Sequence, residues 1–206
     1  MNTSYTAFGG DFSSKQALRQ QHERWRRALS PKQVAARGHR VFEQLQRLPC
    51  WHTSLCTALY AAQAFEVPTS VAMKTLWKAH KQLCLPSSAA SPSPSLALVC
   101  SAEDLEADRY GILCPKAHCP PVAIAQVELI VVPGVAFAQN GARLGRGGGF
   151  YDKLLAHPDM KALRVGLCFE ECLVQSLPED ASDQRMHWVV TDNRSIQGLP
   201  RDTSVE

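Results

Sequence analysis

The sequence predicts an α/β fold: a largely parallel central sheet flanked by helices, with further helices at the N-terminus. Three observations carry that prediction. Strand patterns alternate with helix patterns along most of the chain, as parallel strands joined by crossovers require. The segment "VELIVV" (127–132) is apolar and rich in β-branched residues, as a strand buried on both faces should be. At 206 residues the chain suits one domain with room for a sizeable core. Residues 14–200 read as that single domain, 1–13 as a disordered leader and 201–206 as a tail.

The elements follow in order. Residues 14–29 form an amphipathic helix, with Leu18, Trp25 and Leu29 near one face and Lys15, Arg19, Glu23 and Arg26 elsewhere. "SPKQ" restarts the chain: Ser30 is an N-cap, Pro31 takes the first helical position, and Gln33 completes a capping box. Val34, Gly38, Val41, Phe42, Leu45 and Leu48 then recur at helical spacing, so two helices meet at a tight corner. "SLCTALYAA" (54–62) is the first strand. Thr69 or Ser70 caps a helix carrying Val71, Met73, Leu76, Trp77 and Leu83, and "QLCLP" (82–86) is a short second strand. Residues 86–95 contain only Pro, Ser and Ala and read as a surface loop. "LALVC" (96–100), "VELIVV", "RVGLCF" (164–169) and "HWVVT" (187–191) supply the remaining strands, with a glycine-rich segment and a short helix after the second of these.

Composition narrows the function. Apolar residues at 45% and charged residues at 20% describe an ordinary soluble protein. A net charge of +3 is too mild to argue for nucleic acid, though it suits a local site for an anionic ligand. No apolar run is long enough for a membrane span, and the N-terminus lacks a secretory pattern, so a cytoplasmic protein is expected. Several of the eight cysteines fall in apolar runs, which fits reduced, buried thiols. "CPKAHC" (Cys114, His118, Cys119) has no CxxC and no matching second pair, which argues against a metal site. Nothing in the sequence sets the oligomeric state, and a monomer is compatible with it.

The segment "GARLGRGGGFYDKLL" (141–155) places four glycines within positions 145–149. Glycines let backbone N–H groups converge without obstruction by Cβ atoms, and such a nest binds phosphate oxygens. A helix starting near Gly149 or Phe150 would add its positive end. Arg143 and Arg146 could donate charge-assisted hydrogen bonds, and Asp152 could hold Mg²⁺ against phosphates. The stretch matches neither Walker A, which needs Gly-Lys-Ser/Thr, nor the dinucleotide fingerprint, whose third glycine is replaced by Phe150. On glycine content alone, a mobile loop and an anion cradle are evenly matched.

Beyond that, "LIVVPGVAFAQNGARLGRGGGFYDKLL" resembles the signature of 5-formyltetrahydrofolate cyclo-ligases, also called methenyltetrahydrofolate synthetases. Pro133, Gly134, Phe137, Gly141, Arg143, Leu144, Gly145, Gly147, Gly149, Tyr151 and Asp152 stand in register with it. The likeness extends to Lys15 and Arg19 in the first helix, to Glu66 and Thr69 in "YAAQAFEVPT", to "RYGILCP" and to "SLPEDASDQRMHWVVTD". It implies a fold akin to sugar-phosphate isomerases and CoA transferases. The implied reaction is ATP- and Mg²⁺-dependent cyclisation of 5-formyltetrahydrofolate to 5,10-methenyltetrahydrofolate, a ligase step of one-carbon metabolism. It implies ATP contacts from Lys15, Arg19, Arg143, Leu144, Gly145, Arg146, Gly147, Gly148, Gly149, Phe150 and Tyr151. Folate contacts are implied for Ala61, Glu66, Tyr110 and Phe150, and Mg²⁺ ligation for Asp152 and Asp183. Arg143, Arg146 and Tyr151 are the implied catalytic residues.

The chain departs from the family pattern at four positions. Ala138 replaces an Asp, Phe150 a Tyr, Ser87 a common Arg and Cys114 a Glu. Two alternatives therefore stay open at this level. One is an ATP-dependent paralogue acting on another pterin or formamide; the other is a folate-binding homologue without turnover.

Overall fold

The computed structural model of the chain describes residues 14–87, 94–109 and 111–200. Helix α1 spans Lys15–Arg27, capped by Ser14, whose hydroxyl accepts from the Ala17 N–H at 3.1 Å. Arg24, Arg26 and Arg27 fill its last turn, where positive charge complements the helix dipole. Helix α2 (Pro31–Gln46) begins with the expected capping box between Ser30 and Gln33. It ends before Leu48, which instead caps a one-turn helix α3 (Pro49–Thr53) too short to leave a periodic signal.

Strand β1 covers only Cys56–Ala58, shorter than the expected 54–62. After Leu59 donates to the Cys84 carbonyl the chain leaves the sheet, and residues 60–69 fold back on themselves. The Tyr60 hydroxyl donates to the Val67 carbonyl at 2.8 Å, and Thr69 Oγ1 donates to the Tyr60 carbonyl at 2.5 Å. Thr69 thus occupies the N-cap of α4 (Ser70–Lys78) without capping it through its side chain. Leu83 belongs to β2 (Gln82–Ser87) and not to that helix. β3 (Ser95–Leu98) returns antiparallel; residues 88–93 of the expected surface loop lie outside the described residues, as do 1–13 and 201–206.

A hairpin of β4 (Leu105–Ala107) and β5 (Leu113–Pro115) follows, then β6 (Pro121–Val122). The buried β7 (Leu129–Pro133) leads into β8 (Ala136–Ala138), β9 (Arg143–Leu144) and helix α5 (Phe150–Leu155). β10 (Leu163–Leu167), β11 (Leu173–Val174), β12 (Trp188–Val190) and β13 (Ser195–Gln197) complete the chain.

Among the described residues the main sheet has the order β13-β12-β10-β7-β1-β2-β3-β6. Its five central strands, β12 to β2, run parallel, while β13, β3 and β6 form antiparallel edges. Residues along β7 alternate between two cores, as the period of two in a strand dictates. Leu129 and Val131 pack with Phe42, Leu45, Trp51 and Leu76 from the helices on one face. Ile130 and Val132 pack with Phe137, Leu154 and Leu155 on the other. Each such buried side chain contributes about 1.5–3 kcal/mol through lost apolar exposure. Gly166 is required where it stands: a Cβ there would lie 2.3 Å from the Phe137 ring.

A second, three-stranded sheet, β11-β8-β9, packs beside the first. Its strands are too short to show alternation, so the sequence pattern gives no hint of it. No helix among the described residues is long and apolar enough to cross a membrane.

Candidate active site

The parallel strands deliver their C-terminal ends to a cleft of about 580 Å³, the usual place for a ligand in a sheet of this kind. One wall is the loop after β1, with Ala61, Gln63 and Glu66. The opposite wall is the run from Arg143 to Lys153, which carries the glycines. Leu85 to Ser87 at the end of β2, and Asp108 with Ile112 to Cys114 from the β4–β5 hairpin, close the remaining side.

The glycine-rich run is anchored and does not behave as a loose loop. Gly147 and Gly149 take left-handed φ angles of 97° and 68°, a region closed to most side chains. A Cβ at Gly148 or Gly149 would meet nothing within 4 Å, so the bare backbone borders open space. At Gly145 a Cβ would lie 2.7 Å from the Arg143 guanidinium, which is packed beneath the turn. Arg19 Nε donates to the Gly145 carbonyl at 2.8 Å and ties the turn to α1.

Arg143 is a buried fastener, its side chain only 5% exposed. It donates to the Pro133 carbonyl at 3.2 Å and to Asp152 Oδ1 at 2.5 Å, and lies over the Tyr151 ring. Its Nε is buried with no hydrogen-bond partner among the described residues. Arg146 behaves differently. It is 43% exposed, reaches across to Glu66 Oε1 at 2.9 Å and donates to Gln63 Oε1. That bridge joins the two walls of the cleft.

Phe150 and Tyr151 begin α5 with their rings edge to face, 5.2 Å between centroids. Burial, reinforced by the negative Glu66, pushes the Tyr151 phenol well above its ordinary value. It therefore stays protonated at neutral pH.

Most of the residues expected at the site converge. Ala61, Glu66, Arg143, Gly145, Arg146, Gly147, Gly148, Gly149, Phe150, Tyr151 and Asp152 all line this cleft. Four others stand elsewhere. Leu144 is buried in a core with Leu18, Val135 and Ala138, and Arg19 lies behind the turn. Lys15 donates at 2.6 Å to both Asp180 and Asp183. Burial pulls the Lys15 ammonium down, but its two carboxylate partners outweigh that and raise it. Burial likewise favours a protonated Asp183, yet Lys15 and, more weakly, Arg143 hold its carboxyl below the usual range. Tyr110 lies outside the described residues.

The cleft also takes in Gln63, Asp108 and Lys153, which the motif reading had not assigned. Only Lys153 carried a signal, as the residue next to Asp152. Of the four departures, Phe150, Ser87 and Cys114 line the cleft. Ala138 does not; it is fully buried among apolar neighbours, so alanine there takes no carboxylate out of the site.

A sequence model of the 5-formyltetrahydrofolate cyclo-ligase family matches residues 11–192. The 5-formyltetrahydrofolate cyclo-ligase of Escherichia coli K12 is 29% identical over 173 residues, 82% of this chain and 95% of the relative. That of Saccharomyces cerevisiae is 28% identical over 211 residues, covering 89% and 98% respectively. Among solved structures, the 5,10-methenyltetrahydrofolate synthetase of Aquifex aeolicus superposes with a TM-score of 0.80 at 32% identity. The match covers 93% of this chain and 96% of that one. The synthetase of Mycoplasma pneumoniae shares the fold, with a TM-score of 0.68 at 19% identity over 87% of this chain and 99% of that one.

Proposed function

The chain belongs to the 5-formyltetrahydrofolate cyclo-ligase family, and from that premise we propose that it is a ligase closing 5-formyltetrahydrofolate to 5,10-methenyltetrahydrofolate, with ATP converted to ADP and phosphate. One observation carries the reading: two unlike surfaces share a single cleft. The glycines at 145 and 147–149 offer backbone donors, while Ala61, Leu113 and Phe150, from three sides of the cleft, offer apolar surface beside the Glu66 carboxylate.

The chemistry explains why both are needed. A formyl oxygen does not depart as oxide. Transfer of the γ-phosphoryl group breaks its bond to ADP and forms one to the formyl oxygen. The second folate nitrogen then attacks the formyl carbon, and the oxygen leaves as inorganic phosphate. Such a reaction asks the protein mainly to position the reactants and stabilise charge.

The residues present suit those tasks. The N–H groups of the glycine turn would cradle phosphate oxygens. Arg143 Nε, buried without an acceptor, is a donor that a phosphate oxygen would satisfy. Arg146, the partly exposed member of its ion pair with the buried Glu66, would turn to the transferring group as bound folate took its place beside Glu66. Glu66 would then face the folate, and the protonated Tyr151 would donate to it or to the phosphoryl oxygen. Lys15 and Arg19 would act as positioning residues, Arg19 through the Gly145 carbonyl.

Magnesium fits this donor set. Asp152 uses Oδ1 for Arg143 and would have Oδ2 for a hard cation, whereas Asp183 lies outside the cleft and would join the ion only on releasing Lys15. Bound there, the ion would neutralise charge on the phosphates. The eight free cysteines support a cytoplasmic setting, where thiols stay reduced.

Isotope transfer tests the reading. With ¹⁸O in the formyl group, the label is expected in the released phosphate. Product formation with unlabelled phosphate would overturn the phosphoryl-transfer route, and no product at all would overturn the assignment.

A further inference from the structure

Only Cys114 of the segment 114–119 enters the cleft. The other end of that segment meets a residue fourteen positions upstream. His118 Nε2 lies 3.1 Å from Asp104 Oδ1. Donor atoms of Asp104, His118 and Cys119 all lie within 4.8 Å of one another. We propose that Asp104, His118 and Cys119 bind a divalent transition-metal ion, with Zn²⁺ the best chemical match.

The donor set selects the class of ion. A carboxylate, an imidazole and a thiolate suit zinc or cobalt, whereas Mg²⁺ and Ca²⁺ prefer oxygen alone. Around tetrahedral zinc, with bonds of about 2.0–2.3 Å, donors stand about 3.3–3.7 Å apart. Small side-chain rotations reach that spacing from the present one.

The ligands are also held from behind, as metal ligands generally are. Asp104 Oδ2 accepts from the Cys100 N–H at 2.7 Å and the Ser101 N–H at 3.0 Å, which leaves Oδ1 directed at the imidazole. The turn bearing His118 is fixed by two bonds. The Lys116 N–H donates to the Asp104 carbonyl at 2.8 Å, and the Cys119 N–H donates to the Lys116 carbonyl at 3.0 Å. Cys119 Sγ lies 3.6 Å from that same Asp104 carbonyl. His118 is 65% exposed, so the fourth position opens to water.

Zinc takes cysteine as the thiolate, so metal binding expels the proton of the Cys119 thiol to solvent. Burial and the adjacent Asp104 raise that thiol, so binding tightens as pH rises. The ion would clip the base of the β4–β5 hairpin, whose far end forms one side of the cleft.

The test is a cobalt titration of the full chain after dialysis against a chelator. One equivalent of Co²⁺ is expected to produce a thiolate-to-cobalt charge-transfer band, which Zn²⁺ then bleaches. Cys119→Ser should abolish the band and His118→Ala should weaken binding at least tenfold, while Cys114→Ser should retain it. His118 is surface-exposed, so its variant reports on the site even if Cys119→Ser fails to fold. Absence of a band at one equivalent, or a band that survives both Cys119→Ser and His118→Ala, would overturn the proposal.

Discussion

Arg143 Nη2 lies 2.5 Å from Asp152 Oδ1, nine residues apart in sequence, and the whole glycine turn loops over that pair. The relationship gives the turn a fixed shape. Nη1 of the same guanidinium donates to the Pro133 carbonyl, so the last residue of β7 and the first turn of α5 are linked through one group. A segment whose glycine content alone left loop and cradle evenly matched is therefore tied in one shape by Arg143 and Arg19.

Asp152 lines the cleft and is the proposed Mg²⁺ ligand there. Asp152→Asn should lower kcat by about 10²–10³, the range seen when one group stabilising transition-state charge is lost. Its circular dichroism should match the parent. Near-normal turnover at saturating Mg²⁺ would contradict the metal assignment.

Two glycines separate conformational need from ligand access. Gly149→Ala forces a left-handed alanine and should cost about 1–2 kcal/mol of stability. Gly148→Ala meets no neighbour and no left-handed angle, so its melting temperature should equal the parent's. Its methyl group would still project toward the cleft, and KM for ATP should rise about tenfold, roughly 1.4 kcal/mol of lost binding. An unchanged KM for ATP in Gly148→Ala would show that phosphates do not sit on this turn.

Asp192 governs acid stability away from the cleft. Its side chain is 2% exposed and accepts from Arg37 at 2.7 Å and Arg40 at 3.1 Å. Burial alone would raise its carboxyl, but Arg37, the Glu170 N–H and Arg40 hold it below its ordinary 3.8. A depressed carboxyl adds stability above its unfolded pKa and loses it as pH falls through the folded one. Asp192→Asn should therefore cost roughly 3 kcal/mol near pH 7, and the difference from the parent should shrink below about pH 4. Urea denaturation at pH 7 and pH 3 checks this; a gap that stays constant would refute the role.

Legibility of the sequence followed the range of the interaction. The Ser30–Gln33 capping box spans three residues and was readable letter by letter. β7 announced itself because burial on both faces leaves a run of apolar side chains. The glycines marked the turn, and the pattern around them pointed to most of the cleft. The strands β8, β9 and β11 were silent because two or three residues carry no period. Pairings across the chain were silent too. Lys15 meets Asp183 from 168 residues away, and Arg146 meets Gln63 from 83 residues away; neither has a local signature. The same reason hid Asp104 from the segment ending in His118 and Cys119, where spacing alone argued against a metal.

The central claim is tested most directly by turnover. Purified chain given 5-formyltetrahydrofolate, ATP and Mg²⁺ should generate the absorbance of methenyltetrahydrofolate, with one ADP released per product. No absorbance change at high enzyme concentration, or ATP hydrolysis uncoupled from folate cyclisation, would contradict the account.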